Sequence, residues 1–413
     1  MVEGDPSEGR GRLLVLGAGA AQLGLLAAAR DRGLHVIAVD RDPAAPGFRY
    51  ADRRAIISAE DEPGIDRLAA AERVDGIVAP GIDFPVAIAA RVAERLALPH
   101  PIRAETALLA TSKPRQRERF AAAGVERARF ELCATLPEAR AAAERFGYPC
   151  VLKAPDRQGQ KGLTLVREPE ELAEAFRTAT AAARSNLALV EELVDGLEVT
   201  VNAFSVGGRF HPLTVTDRLV AEPPAFGVAL AHVFPCSLPA EERAAVVDLA
   251  ERAAHALGIE DGPTYTQVLV GPGGPRVGEL AARLGGGHDA ELCEAALGVD
   301  LNGLALAAAL GEPIDEAQLE PREAAGGACV RFLVPPAGAL RAVEGVEAAE
   351  AVEGVEWVLV YREPGAIFTP LRRGSDRAGA VLAMGASAEE ALARADRAAG
   401  LIRFETVGAE ALV

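Results

Sequence analysis

Lysine is nearly missing from this chain. Of its 43 basic residues only Lys113, Lys153 and Lys161 are lysine, all within 49 positions, and the rest are arginine. A chain that uses arginine elsewhere but keeps lysine there needs a compact, flexible point charge at those places rather than a planar fork. Phosphate groups are a partner of that kind. Cysteine is scarce too. Cys133, Cys150, Cys236, Cys293 and Cys329 are scattered and odd in number, with no CxxC or Cys/His spacing. This excludes a zinc frame and a disulfide scaffold and leaves reduced thiols. Positive charge is in deficit, with a formal net charge of −17, which argues against nucleic acid or an anionic membrane surface as main partner. No stretch approaches the ~18 uninterrupted apolar residues of a membrane span. Residues 1–12 are acidic, lack the apolar core of a signal peptide and are expected to form a disordered tail. What is abundant is apolar side chain, 50% of 413 residues, enough for several domains around a large core. The expectation is a soluble cytoplasmic protein.

The first hundred residues read as alternating strands and helices. An apolar run over 12–16 ends in Gly17 and Gly19, helical spacing covers 20–32, and a second strand over 34–39 closes at Asp40. Further strands are expected at 55–57 and 76–79, with helices at 65–72 and 84–96. This is a βαβ pattern with a parallel sheet. Gly17, Gly19 and Gly24 with Asp40 outline a dinucleotide fingerprint, but Gln22 stands where its third glycine belongs. Two readings stay open: a nicotinamide-dependent oxidoreductase, or a Rossmann-like half-domain whose first helix N-terminus cradles an anionic substrate group.

The middle of the chain holds the lysines. Ser112 is expected to cap a helix over 113–123, which places Lys113 against the positive helix end unless a phosphate neutralises it. A strand at 129–133 and a helix at 137–146 precede a strand at 150–154 that Lys153 interrupts. A lysine in a buried strand is costly unless it is paired. The turn at 156–161 contains Gly159, Gln160 and Lys161 and ends at Gly162. It is either a plain hairpin turn or a loop that lays N–H groups and an ammonium over phosphates. A helix at 169–184 and a strand at 187–194 carrying Glu191 and Glu192 lead to Gly196 and a strand over 198–206. Downstream, apolar patterns at 265–270 and 276–284 flank a glycine turn at 271–274, the mark of a β-hairpin. Alternation puts Gln267 on one face with Tyr265 and Leu269. On the return strand Val277, Glu279, Ala281 and Arg283 are expected to share a face. With the turn near Gly273, Gln267 and Glu279 lie opposite each other, Cβ atoms about 5 Å apart. Two oxygens with an arginine beyond them suit Mg²⁺ held together with phosphates.

Taken in order, Lys113 in its helix, Lys153 with the following glycine loop, the segment from Val190 to Glu198, and the hairpin with Glu279 and Arg283 resemble the ATP-grasp ligases. The likeness runs from Leu13 to about Pro313 and points to the L-amino-acid ligase and carbamoyl-phosphate synthase-like branch. The resemblance implies that Lys113 and Lys153 grip the phosphates of ATP. It makes 158–162, with Gln158, Gly159, Lys161 and Gly162, a phosphate lid. Glu191, Glu192 and Val194 would line the adenine, partly by backbone, and Glu198 would hold the ribose. Gln267 and Glu279 would bind Mg²⁺, or Mn²⁺ in its place. Arg283, His232 and Lys153 are the candidate catalytic residues, with Arg283 stabilising the transferred phosphoryl or the tetrahedral intermediate. Four positions depart from the family pattern. Gln267 stands where glutamate is common, Ala281 where asparagine is common, and Gln160 and Lys161 where serine or arginine is usual.

His232, before Pro235, resembles a substrate-side histidine of the L-amino-acid ligases; His288 follows a glycine run beside Arg283. Each has a structural alternative. The tail, with Arg331, Pro364 and a last helix at 388–399, resembles that of amino-acid ligases, and Arg331 faces either the core edge or a substrate carboxylate. The expected fold class is α/β and α+β multidomain. A Rossmann-like domain at 13–112 precedes a two-lobed ATP-grasp fold, with a lid at 113–190 and a catalytic part at 191–322. A small α+β domain at 323–413 closes the chain. The expected activity is ATP-dependent ligation of a small-molecule carboxylate and an amine by a homodimer. A bicarbonate-activating enzyme and a silent nucleotide-binding regulator are the alternatives alongside the oxidoreductase.

Overall fold

A computed structural model describes residues 10–157, 159–322 and 326–408. Gln158 and most of the expected 1–12 tail lie outside the described residues. The N-terminal strands Arg12–Leu16, His35–Val39, Arg53–Ala55 and Gly76–Val78 form a parallel sheet in the order third, second, first, fourth. Both faces are covered. Leu14, Leu16, Ile37 and Val39 feed one core with the helix Phe84–Arg95, while Leu13, Val15, Val36 and Ala38 feed another with the helices Leu23–Asp31 and Leu301–Ala309. Alternation along each strand thus supplies two cores, and a sheet buried on both sides reads as a continuous apolar run. The third strand was expected at 55–57 and forms at Arg53–Ala55 instead. It is an edge strand with exposed arginines, so no apolar period announces it, and Ile56 is left 51% exposed.

A separate antiparallel sheet, ordered Phe130–Cys133, Ala188–Glu192, Cys150–Lys153, Thr164–Val166, carries Lys153. Helices Leu136–Phe146 and Leu172–Ala182 cover it, with Cys133, Cys150, Leu152 and Val190 in its own small core. The first helix starts at a capping box made by Thr135 and Glu138. Ser112, by contrast, sits at an N-cap position without a capping hydrogen bond from its side chain. The strand Ala188–Glu192 straddles the boundary expected at 190/191.

The largest sheet has eight strands, from Gly274–Ala281 and Gly262–Gly271 through Leu197–Val206, Arg209–Val220 and Ala229–Phe234 to Gly327–Leu333, Gly379–Gly385 and Val355–Val360. Its last three strands come from the C-terminal part of the chain. They continue the same sheet through pairing of Gly327–Leu333 with Ala229–Phe234. A three-stranded sheet, ordered Ile367–Phe368, Gly338–Glu344, Arg403–Val407, completes the fold. All five cysteines are free and buried. No helix among the described residues is long and apolar enough to cross a membrane.

The expected hairpin is present, with Gln267 opposite Glu279, but its return strand ends at Ala281. The pairing shifts after Gln267, so Val268 meets Val277 and Gly278 is left over as a bulge. The extra residue turns Val277 to the other face, where it joins Val268 and Leu280 in the core. Val277 therefore does not share a face with Glu279, contrary to simple alternation. One turn bordering this hairpin tolerates only glycine. A Cβ on Gly196, at φ +156°, would lie 2.0 Å from the Val270 carbonyl oxygen. Gly196→Ala should therefore lower stability by about 2 kcal/mol or more. Gly400→Ala, in helix Ala388–Leu401 with nothing within 4 Å, should be neutral or gain about 0.5 kcal/mol. Thermal melts of both variants check this, and equal melting temperatures would contradict it.

Candidate active site

A cleft of about 470 Å³ opens between the N-terminal sheet, the lid turn and the face of the large sheet. Gly159, Lys161, His232, Gln267, Glu279 and Arg283, all singled out in the sequence, line it together. Lys113 donates to the carboxylate of Glu279, one of these lining residues, at 2.8 Å and to the Arg157 carbonyl at 2.8 Å. The helix that starts at Lys113 thus meets the hairpin directly. Behind it Lys153 pairs with Glu191 at 2.5 Å, and Arg117 pairs with the same carboxylate. Arg117 lies one helical turn after Lys113, on the same helix face. It escaped the sequence reading because arginine is common throughout the chain, yet it is 1% exposed.

The cations favour the charged form of the two carboxylates. Burial by itself pushes the Glu279 carboxyl up, but Lys113 beside it, then Lys153 and Arg117, bring it down to about 2. For Glu191 burial again opposes, and Arg117 and Lys153 hold the carboxyl below its ordinary value. Burial, followed by nearby Arg117 and Lys113, draws the Lys153 ammonium down, while Glu191 raises it. Burial also lowers Lys161, with Arg373, Arg41 and Arg157 adding to the effect.

The other sequence-selected residues surround these charges. Glu198 takes hydrogen bonds from Arg218 and from the Gln267 side-chain nitrogen. The Gln267 side-chain oxygen is then available opposite Glu279. Glu191 was expected to line a base, but its carboxylate is turned to Lys153 and Arg117. Glu192 is held by Arg129 and by Arg276 at 2.6 Å, away from the cleft. Val194 packs near Gly271, and Gly162 turns the lid chain at φ +73° against Ala182. Arg283 is fastened by Asp83, which accepts from its Nε at 2.8 Å and from a terminal nitrogen at 2.5 Å, and it lies over the Tyr265 ring.

On the opposite wall Asp289 accepts from His232 Nδ1 at 2.9 Å, both residues being buried. Burial pushes the Asp289 carboxyl up, but His232, the Gly287 N–H and Arg283 bring it down to about 2. Asp289 was missed, although its place after the glycine run and His288 was a signal. His288 is enclosed instead, with Nε2 at 2.5 Å from the Tyr361 hydroxyl and its ring edge-on to Trp357. Burial, followed by Arg377, takes it down to about 3, so it is a neutral structural residue. Arg331 does not reach the cleft; it pairs with Asp396 at 2.8 Å and donates to the Leu230 carbonyl. In the glycine loop Asp40 accepts from Ala18 and Asp42 N–H at 3.0 Å each. Gln22 donates to the Pro80 carbonyl, and a Cβ on Gly24 would strike Glu291. The fingerprint residues are thus spent on loop and packing.

Two family models match the chain. The carbamoyl-phosphate synthase L chain ATP binding domain covers residues 113–317, and the L-amino acid ligase C-terminal domain 2 covers 331–407. The formate-dependent phosphoribosylglycinamide formyltransferase of a Synechococcus strain is 30% identical over 418 residues, covering 96% of this chain and 98% of that protein. A protein of the same name from Rhodococcus jostii is 32% identical, over 49% of this chain and 52% of its own length. Among solved structures, the L-amino acid ligase from Bacillus licheniformis has a TM-score of 0.81 at 23% identity, with 97% of this chain and 99% of that one covered. The biotin carboxylase domain dimer of Hydrogenobacter thermophilus 2-oxoglutarate carboxylase, solved with MgADP and bicarbonate, has a TM-score of 0.77 at 19% identity, with 95% and 90% covered. The two structures share the fold. The chain belongs to the ATP-grasp enzymes, and within them to the carboxylate–amine ligases. The 17–24 loop is therefore part of a ligase and not of an oxidoreductase.

The His232–Asp289 pair has a consequence in acid. The folded carboxyl is depressed to about 2 from an ordinary 3.8. Its contribution is therefore complete above about pH 4 and lost as pH falls through about 2, on the order of 2 kcal/mol. Asp289→Asn keeps an acceptor for the His232 N–H without the charge. Urea midpoints taken across that window should fall less steeply for this variant, and an unchanged slope would refute the assignment.

Proposed function

We propose that the chain joins a small-molecule carboxylate to an amine through an acyl phosphate, releasing ADP and phosphate, with amino acids as the substrate class. The observation that carries this reading is the pairing of Lys113, at a helix start, with Glu279, a hairpin carboxylate that lines the cleft and that Lys153 of the lid sheet also helps to depress. In this reading Lys113 and Lys153 hold the ATP phosphates, and Lys161 with its glycine turn closes over them. The 191–194 backbone lines the adenine, the Glu191 carboxylate orients Lys153, and Glu198 takes the ribose hydroxyls. Gln267 and Glu279 fit Mg²⁺, or Mn²⁺: they are hard oxygen donors on paired positions, one of them firmly ionised. Bound there, the ion would neutralise phosphate charge. The MgADP in the biotin carboxylase domain is in keeping with this.

The chemistry then divides between the two walls. A carboxylate oxygen attacks the γ-phosphorus and ADP leaves, with Arg283 balancing the charge that builds on the phosphoryl oxygens. The amine nitrogen next attacks the acyl carbon and phosphate departs. Asp289 accepts from His232 Nδ1–H, which leaves Nε2 as the base that takes the amine proton. Positioning and electrostatic stabilisation supply most of the rate. We place the enzyme in the cytoplasm as a homodimer.

Two experiments test this. Hydroxylamine should trap the activated carboxylate, and ADP release should depend on a carboxylate; a broad carboxylate and amine panel that leaves ADP release unchanged would sink the reading. Lys153→Ala should lower ATP turnover by roughly 10²–10³-fold or more while the fold persists, since Arg117 still pairs with Glu191. A fully active variant would undo the lysine assignment. The metal site has its own check. Gln267→Glu sets a second carboxylate beside Glu198 in place of a donor. It should lower the melting temperature without divalent ions and recover with Mg²⁺; a Mg²⁺ response no larger than that of the wild type would count against the metal assignment.

A further inference from the structure

The cleft is not closed on the side away from the lysines. A second groove, of about 840 Å³, runs on from it between the loop at 42–49 and the loop at 360–367. Asp42, Ala45, Pro46, Tyr361 and Arg362 line both spaces, so the two are continuous. The neck is crossed by an Asp42–Arg362 ion pair at 3.5 Å, with side chains 46% and 35% exposed. A pair so wet and so long is weak and parts easily.

The walls of this groove have the character of a chain-binding surface. Arg54 belongs to the outermost strand of the N-terminal sheet, and Ile367 to the outermost strand of the three-stranded sheet. Edge strands carry unpaired backbone groups that an extended peptide can engage. Ile367 is 67% exposed, more than any other large apolar side chain described. Arg49, Arg54 and Arg362 line the groove against Asp42 and Glu363, which leaves it one positive charge in excess. Arg53 next door pairs with Glu72, but Arg49 and Arg54 have no acidic partner among the described residues, in a chain of net charge −17. Arg49 rests only over the Tyr50 ring at 5.0 Å.

We propose that the amine substrate is a peptide of two or more residues, with its N-terminal amine in the cleft and its later residues in this groove. Its terminal carboxylate faces Arg49 and Arg54. The charge distinguishes the two substrates. A peptide that donated the carboxylate would bring that end to the ATP phosphates and leave a cationic amine in the groove, against two arginines. A peptide that donates the amine leaves an anion there. This rests on the carboxylate–amine ligase reading and extends it from the reacting groups to the length of the acceptor.

The test is calorimetric titration of the full-length protein, loaded with a non-hydrolysable ATP analogue and Mg²⁺, with alanine, di-, tri- and tetra-alanine, and tetra-alanine amide. Affinity should rise about tenfold or more along the series, and amidation should cost most of that gain. Arg49→Glu with Arg54→Glu, or Ile367→Glu by itself, should remove the gain from length and leave alanine binding and the melting temperature unchanged. Affinity independent of length, equal binding of the amide, or a gain that survives both groove variants overturns the peptide acceptor. Binding is read without turnover, so failure of carboxylate-dependent ADP release removes the ligase reading separately.

Discussion

The site depends on one arrangement of buried charge. Lys113, Lys153 and Arg117 face Glu279 and Glu191 at the junction of a helix, the lid sheet and the hairpin. None of these groups would be tolerated there unpaired, and ion pairs of this kind return little net stability once desolvation is counted. What they supply is position. Lys113 and Lys153 are each set against an internal carboxylate, Glu279 and Glu191, with little of either ammonium open to water. Exchanging one anion for another at such a site needs less reorganisation than building it around a ligand, which is the physical meaning of electrostatic preorganisation.

The same arrangement explains why lysine survives at these positions. Arg117 is 1% exposed and is paired with Glu191 from the same helix face as Lys113, a fixed internal contact that suits a fork. Lys113 bonds a carboxylate and a backbone carbonyl at once, and a single ammonium on a long stem can redirect from one oxygen to another. A fork locked onto one carboxylate is the better anchor and the poorer exchanger. Arg283 illustrates the anchored case, with Asp83 of the N-terminal domain gripping its edge.

Most of the fold was legible because its periods are simple. The doubly covered parallel strands read as apolar runs, and the hairpin was marked by its glycines. What escaped did so for local reasons. The strand Arg53–Ala55 has no apolar face to show. The glycine turn at 271–274 is visible in the sequence, but the bulge at Gly278 looks like ordinary alternation until the pairing is known, so Val277 was assigned to the wrong face. Of the residues singled out by type and order, Lys161, Glu279, Gln267, His232 and Arg283 line one cleft. Arg117, Asp83 and Asp289, which pair with Glu191, Arg283 and His232, were not singled out, because a partner is defined by a contact across 74, 200 and 57 positions of chain respectively.

The two walls of the cleft also differ in how their charges are disposed. On the ATP side every acid named has a cationic partner. On the far side Arg377 lies over Phe332 at 3.7 Å and donates to backbone carbonyls, with no carboxylate paired to it among the described residues. Burial, then Arg218, lowers its pKa, and Tyr361 and Asp289 only partly offset this. A guanidinium left uncompensated in a half-buried place costs stability in the empty protein, and an anion bound beside it would relieve that cost. With Arg49 and Arg54 further out, it gives the far side of the cleft an excess of arginine over the acids Asp42 and Glu363. A substrate carrying negative charge beyond its reacting group gains on that side, whereas a neutral or cationic tail does not. Selection between substrates can thus rest on the charge of the remote end, read well away from the atoms that react.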